Sequence, residues 1–259
     1  MAEKELPGSY RRPGPGEIAV VGLGPGGEAE MTYRARQALE QAEVIVGYRT
    51  YVDLITSMTE GKEVVVTGMT GEVERCREAV ERAAAGARVA VVSSGDPGVY
   101  GMAGLLLEIL ATHPRGQGIK VDVVPGVTAA TAAAAALGAP LMHDFAVISL
   151  SDRLTPWEVI AARLEHAAAA DFVLVLYNPR SHGRPDHLRR ARDIILRFRH
   201  PATPVGVVRN AGREGEEAWI RDLATFLDFP VDMVSTVIIG NSQTRVLDGR
   251  LVTPRGYRL

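Results

Sequence analysis

Residues 88–110 alone confine this chain to one broad class of fold. An almost wholly apolar run, Arg88-Val-Ala-Val-Val92, breaks into Ser93-Ser-Gly-Asp-Pro-Gly-Val-Tyr-Gly-Met-Ala-Gly104 and resumes as Leu105-Leu-Leu-Glu-Ile-Leu110. A short β-branched run bounded by Gly and Pro reads as a buried strand, and the run after it as a helix. Strand, glycine loop and helix in that order build open α/β sheets, whose ligands lie at the C-terminal ends of the strands. Gly95, Gly98, Gly101 and Gly104 leave the backbone bare, so a flat or bulky ligand can lie against main-chain groups. Asp96 and Pro97 fix the turn. The stretch is a candidate small-molecule site.

A second glycine loop follows the short apolar strand Ile18-Ala-Val-Val21. Its Gly22, Gly24 and Gly27 satisfy the dinucleotide pattern G-x-G-x-x-G. A dinucleotide site also needs an acid roughly 20 positions on, at the end of the second strand, to hold the ribose. That strand, Glu43-Val-Ile-Val46, ends in Gly47-Tyr48-Arg49, and Glu43 stands at its wrong end. Pro25 also stiffens the loop. These residues argue against nicotinamide; turn glycines alone, or a different small molecule, stay open.

The rest of the chain alternates in the same way. Strands are expected at 18–21, 43–46, 63–66, 88–92 and 119–124, and helices near 32–41, 72–85 and 102–112. An alanine-rich helix, 127–137, leads into Gly138-Ala-Pro140, which reads as a linker. Strands then return at 145–149, 171–176, 204–208 and 233–239, with helices near 156–168, 186–199 and 219–227. Thr155 as N-cap, Pro156 at the first position and Glu158 spell a capping box. The expected architecture is two α/β domains with mainly parallel or mixed sheets, 17–125 and 126–259, behind a loose extension, 1–16. A cleft between two such domains is the default ligand site.

Composition narrows the function classes. A net charge of −2 gives no reason to expect nucleic acid or an anionic membrane as partner. Cys76 is the sole cysteine, so no intrachain disulfide or cysteine-cluster metal site can form. It shares the apolar stripe Val73, Cys76, Val80, Ala83 and reads as a core residue rather than a nucleophile. The six histidines form no H-x-x-x-H pair, and no metal is expected. The N-terminus is charged where a signal peptide would be apolar, and the most apolar stretch, 129–141, is too short to span a bilayer. A soluble, cytoplasmic protein is expected.

Three loops taken together carry a resemblance: Val21-Gly-Leu-Gly-Pro-Gly26, Ser94-Gly-Asp-Pro-Gly-Val-Tyr-Gly101 and Val124-Pro-Gly-Val-Thr-Ala-Ala130. In order and spacing they resemble the tetrapyrrole methylase superfamily. Four further stretches resemble its precorrin-3B (cobalt-factor III) C17-methyltransferase branch, which serves cobalamin biosynthesis. They are Gly47-Tyr-Arg-Thr-Tyr-Val-Asp-Leu54, Leu176-Tyr-Asn-Pro-Arg-Ser181, Arg184-Pro-Asp-His-Leu-Arg189 and Asn210-Ala-Gly-Arg-Glu-Gly215. The likeness runs from about residue 17 to 253. It implies a two-domain α/β enzyme that uses S-adenosylmethionine (SAM), releases S-adenosylhomocysteine, and works as a homodimer. The implied reaction is methylation of ring carbon C17 with contraction of the macrocycle.

The resemblance also implies the cofactor contacts: Gly24 and Pro25; Ser94, Gly95 and Asp96 with Val99 and Tyr100; Thr128 and Ala129; Tyr177 and Asn178; Asn210 and Ala211. Methyl transfer to an electron-rich carbon needs no enzyme nucleophile, but ring contraction must move a proton. Asp96, His143 and Asp144 are the catalytic candidates, with Asp152 and Tyr177 behind them. Each has a plainer alternative: Asp96 bracing its own loop, His143 and Asp144 packing ahead of a strand, Asp152 lying in the loop before Thr155, Tyr177 packing on a ligand. The substrate carries acetate and propionate groups, which arginine meets with a bidentate fork. Arg49, Arg153, Arg180, His182 and Arg184, all in loops after strands, are the substrate-binding candidates, whereas Arg189, Arg190, Arg192, Arg197 and Arg199 read as a solvated helix face. Other readings are methylation at another corrinoid position, RNA modification, or a non-catalytic nucleotide-binding regulatory protein. Against RNA stands the lack of a basic, aromatic-bearing stretch. The regulatory reading lacks the ribose acid for NAD and the Gly-Lys-Ser/Thr loop for ATP.

Overall fold

The computed structural model describes residues 15–68 and 70–258. The extension expected over 1–16 thus lies, as far as residue 14, outside the described residues. The chain divides into two compact units: residues through Leu23 with Thr32–Gly126, and Gly24–Met31 with Val127–Leu259.

The first unit contains β1 (Glu17–Gly22), α1 (Tyr33–Gln41), β2 (Val44–Tyr48), α2 (Arg49–Val52), β3 (Glu63–Thr67), α3 (Glu72–Ala84), β4 (Arg88–Ser93), α4 (Ala103–Thr112) and β5 (Lys120–Val124). Its five strands are all parallel, in the order β3-β2-β4-β1-β5. Ile18, Val20, Val44, Val46, Val89 and Val91 form a core with Cys76, Ala79, Val80 and Ala83 of α3 and Leu106 of α4. The alternate residues Val21, Ile45 and Val92 are equally buried, so both faces of the sheet are covered. That is why these strands read as continuous apolar runs instead of alternating ones. The chain steps from β1 outward to β2 and β3 at one edge, then returns through β4, which fits between β2 and β1, to β5 on the far side of β1. This reversal, at the adjacent strands β4 and β1, is the switch point where loops diverge and ligands enter such sheets.

The second unit contains α5 (Ala129–Leu137), β6 (Gly138–Ala139), β7 (Phe145–Ser149), α6 (Trp157–Ala169), β8 (Val173–Tyr177), α7 (His187–Ile195), β9 (Pro204–Arg209), β10 (Glu217–Asp222), β11 (Ser235–Ile239), β12 (Arg245–Leu247) and β13 (Arg250–Val252). Its main sheet has the order β10-β9-β11-β8-β7. β7 and β8 are parallel, and β11 runs against both β8 and β9, so β7, β8 and β9 share one direction. Ile160 and Leu164 of α6 with Leu188, Ala191 and Ile195 of α7 bury one set of strand residues. Ala130, Ala133, Ala134 and Leu137 of α5 bury the other, against Val173, Val175, Val208 and Ile238. The small residues of α5 let it lie close to the sheet: the backbone of Gly206 sits directly under Leu137, where a Cβ would collide.

Four expectations are corrected. Gly138-Ala-Pro140 is no linker, because Gly138 and Ala139 pair with β13 inside the second unit. Residues 219–227 form no α-helix, only the start of a short 3-10 turn at Phe226–Asp228: Glu217–Asp222 pairs antiparallel with β9, and Trp219 stacks on Phe229 with ring centroids 5.3 Å apart. The helix-like spacing of Trp219, Leu223 and Phe226 lost to a free sheet edge and to β-forming residues. The 186–199 helix ends at Ile195. The capping box is absent too, since the N-cap of α6 is Pro156, without a side-chain cap.

Candidate functional site

In the first unit three glycine loops converge at the C-terminal ends of β1, β4 and β5. A Cβ on Gly22 would lie 2.6 Å from the Gly95 carbonyl oxygen and 2.7 Å from the Gly126 nitrogen, and one on Gly126 would strike Gly95 itself. Only glycine permits this backbone-on-backbone approach. Asp96 locks it: Gly98 N–H donates to Oδ1 at 2.8 Å and Gly126 N–H donates to Oδ2 at 3.2 Å. Both carboxylate oxygens are therefore engaged in bracing. Ser94 and Val99 are not fully buried beside it, and Tyr100 is exposed with φ +52°. Arg49 opens α2 at this same edge of the parallel sheet and is exposed. Glu43 lies at the other edge, accepting the Arg88 N–H at 2.8 Å, so no ribose acid follows the first glycine loop.

In the second unit the loop 24–31 meets the loop after β9. The Arg213 guanidinium donates from Nε to the Pro25 carbonyl at 2.6 Å, and Gly26 packs backbone-to-backbone on Gly212. Gly24, Pro25, Asn210 and Ala211 are thereby brought together. A second cluster forms where β8 ends. The Tyr177 hydroxyl shares a 2.6 Å hydrogen bond with Thr128 Oγ1 and accepts the Ala130 N–H at 2.6 Å, satisfying an open donor at the start of α5. Asn178 follows with φ +51° and donates from Nδ2 to Ser149 Oγ at 2.9 Å. Asn210, just past β9, has φ +54°. Left-handed backbone at non-glycine residues is uncommon and concentrates at functional loops.

The loops after β7 and β8 carry the remaining candidates. Arg153, Arg180 and His182 are exposed and make no hydrogen bond or ion pair among the described residues. Arg184 differs. Only 7% exposed, it donates from Nη1 to Ser151 Oγ at 2.6 Å and from Nη2 to Met233 Sδ at 3.5 Å, while its buried Nε has no partner among the described residues. It ties three loops together, and its fork is not free for a carboxylate. Asp152 is bonded to His187 Nε2 at 3.0 Å. Burial pushes its carboxyl up, but the hydrogen bond and charge of His187, with the charge of Arg184, outweigh that and hold it below the ordinary range.

His143 and Asp144 precede β7, at the opposite edge of the sheet from Asn178 and Ser149, and the Asp144 N–H donates to His143 Nδ1 at 2.9 Å. The geometry gives them no part in a site at the C-terminal ends of β7–β9. Sequence reasoning missed Ser149 and Ser151, whose hydroxyls hold Asn178 and Arg184; serines at strand ends carry no motif. Among the described residues no group of three or more His, Cys, Asp or Glu is placed to hold a metal ion, and no helix is long and apolar enough to cross a membrane.

A family model described as Tetrapyrrole (Corrin/Porphyrin) Methylases matches residues 17–226. The chain belongs to this family. It is 53% identical to a protein of Salmonella typhimurium named "Probable cobalt-factor III C(17)-methyltransferase", over 93% of this chain and 100% of that one. A Priestia megaterium protein named "Cobalt-factor III methyltransferase" is 47% identical over 94% of this chain, which spans 45% of its length. Among solved structures, that of the methyltransferase CobJ superposes with a TM-score of 0.88 at 41% identity, covering 92% of this chain and 100% of that one. A uroporphyrin-III C-methyltransferase from Thermus thermophilus, complexed with S-adenosyl homocysteine, gives a TM-score of 0.68 at 26% identity, covering 87% and 97%.

Proposed function

We propose that this tetrapyrrole methylase is a SAM-dependent C17-methyltransferase of cobalamin biosynthesis, methylating cobalt-factor III at C17 with contraction of the ring. The observation that carries this is the 53% identity to the Salmonella protein over that protein's whole length. The names of the relatives favour the cobalt-bearing pigment over metal-free precorrin-3B, and cobalt enters as part of the substrate. The Thermus relative, complexed with S-adenosyl homocysteine, supports SAM as methyl donor. We further infer a cytoplasmic homodimer, whose assembly equilibrium sedimentation tests.

When bound, SAM supplies a methyl group on a sulfonium. The residues here fit such a cationic, hydroxyl-rich molecule: the motif loops present main-chain groups and neutral Ser94, Thr128, Asn178 and Asn210. Left-handed backbone at Tyr100, Asn178 and Asn210 turns peptide groups at these strand ends. We assign cofactor contact to the 24–25, 94–100, 128–129, 177–178 and 210–211 segments. An electron-rich ring carbon needs no enzyme nucleophile, so the protein's contribution is to hold the reacting partners in line, which supplies up to roughly 7–11 kcal/mol of barrier reduction. Asp96 and Tyr177 act as braces of that arrangement and not as proton carriers.

The test is mass spectrometry of the pigment after incubation with SAM and, separately, cobalt-factor III and precorrin-3B. A product heavier by one methylene, with magnetic resonance placing the methyl on C17 of a contracted ring, is expected with the cobalt-bearing pigment. Methylation of precorrin-3B alone would reassign the substrate, and methylation of neither would overturn the C17 reading.

A further inference from the structure

The loop after β8 and the segment before β11 together line a cavity of about 540 Å³ in the second unit, a size suited to part of a large ligand. One side carries Arg180 and His182, both exposed, both without a hydrogen bond or ion pair among the described residues. Another side is apolar: Met233 and Val234, 45% and 44% exposed, with buried Val231 beneath. The acid at its margin, Asp232, is already engaged. Its Oδ2 accepts from Arg209 Nε at 2.8 Å, and its Oδ1 accepts from Ser235 Oγ and the Val234 N–H. Asp186 is likewise paired, with Arg189 at 2.6 Å. Neighbouring arginines are committed as well: Arg190 lies over the Trp157 ring at 4.0 Å, and Arg192 holds Asp193.

An unpaired guanidinium and an unengaged imidazole beside an exposed apolar wall fit an anion that is itself flat and apolar. We infer that this cavity is the subsite for one carboxylate-bearing rim of the macrocyclic substrate. Arg180 and His182 take its acetate and propionate groups, and Met233 and Val234 cover the edge of the ring. Arg184 is a positioning residue. Buried and tied to Ser151 and Met233, it fixes the loop that carries Arg180 and His182 against the wall that carries Met233. This assignment deepens the corrinoid reading and rests on it.

The experiment is equilibrium binding of cobalt-factor III to the full chain, followed by pigment absorbance, with SAM affinity measured in parallel. Removing one charge-assisted hydrogen bond is expected to weaken Kd about tenfold, equal to about 1.4 kcal/mol. Arg180→Ala should therefore weaken pigment binding about tenfold and Arg180→Ala/His182→Ala about a hundredfold, with SAM affinity within twofold of wild type. Arg180→Lys should recover part of the loss. A structural defect would not produce the last readout: the preference of wild type for the free acid over the pigment's methyl ester should fall about a hundredfold in the double variant. Pigment affinity within twofold of wild type in the double variant, or an undiminished preference for the acid, overturns the subsite. Failure of the wild-type chain to bind the pigment overturns the corrinoid reading instead, so the two failures are distinguishable.

Discussion

Tyr177→Phe separates a structural from a catalytic tyrosine. The substitution removes one oxygen and leaves the ring in place at the end of β8. That oxygen makes two 2.6 Å hydrogen bonds, to Thr128 Oγ1 and from the Ala130 N–H. The Ala130 amide is a helix-start donor in a partly buried setting, and leaving it without this acceptor costs about 1–2 kcal/mol. The Thr128 hydroxyl can turn towards water, and its share of the pair is worth roughly 0.5 kcal/mol. The expected destabilisation is about 2 kcal/mol, or a fall in melting temperature of about 4–8 °C for a unit of this size. Urea unfolding with an unchanged slope would measure it. Turnover should stay within about threefold of wild type, because the hydroxyl is taken up by Thr128 and Ala130 and the ring is left in place. A proton-transfer role would instead lower turnover by about 10²–10⁴. A hundredfold loss of turnover with stability unchanged would refute the tether. A double-mutant cycle with Thr128→Val should show a coupling of about 0.5–1 kcal/mol, since the partners share one hydrogen bond.

Other perturbations follow from the same geometry. Gly126→Ala places a methyl against the Gly95 carbonyl and within 2.8 Å of Gly22, all backbone, and should lower the urea midpoint by the equivalent of about 3 kcal/mol, while Gly27→Ala, with open space around it, should stay within about 0.5 kcal/mol. Burial pushes the Cys76 thiol up to about 11, so it should resist Ellman's reagent at about pH 8 and react fully in denaturant; rapid reaction in the native state would contradict its place in the core. The Asp171 carboxyl is pushed up by burial, but hydrogen bonds from Ser242 and the charge of Arg199 outweigh this and hold it below the ordinary value. Its stabilisation is present above the unfolded pKa of about 3.9 and is lost as pH falls through the lower folded value. Asp171→Asn should therefore be less stable at neutral pH, with the gap to wild type closing below about pH 4 in urea titrations.

The parts of the fold that were legible in the sequence are those that local chemistry fixes. Glycine loops after apolar runs marked the strand ends, because backbone packed on backbone at Gly22, Gly95 and Gly126 admits no other residue. The misplacement of Glu43 was legible because strand polarity follows from chain direction. What long-range pairing decides was not legible. Loop 24–31 joins the second unit through Arg213 and Pro25, 188 positions apart. Trp219 enters a strand because β9 offers an open edge, and Gly138 finds its partner Leu251 on β13, far along the chain. Arg184 looked like its neighbours Arg180 and His182, yet a partner hydroxyl on Ser151 draws it inward. Sequence distance to a strand could not separate the two edges of the sheet for His143 and Asp144, since the residues before and after a strand differ only in which end they occupy.

Within each unit the charged groups at the strand ends divide into committed acids and open cations. Asp96 engages both oxygens with Gly98 and Gly126, Asp152 is held by His187, and Asp232 by Arg209. Each fixes a loop at the C-terminal end of a strand and holds little in reserve for proton transfer. Arg49, Arg153 and Arg180, exposed and without a hydrogen bond or ion pair among the described residues, are open cations suited to gripping a polyanion, with the His182 imidazole beside Arg180 as a further donor. The methyl-transfer step, whose nucleophile is the substrate's own carbon and whose electrophile arrives ready-activated, asks a protein for rigidity and grip. Acids committed to bracing and cations left open supply those two requirements, so substitutions of the braces should act through stability and alignment, and substitutions of the open cations through pigment affinity.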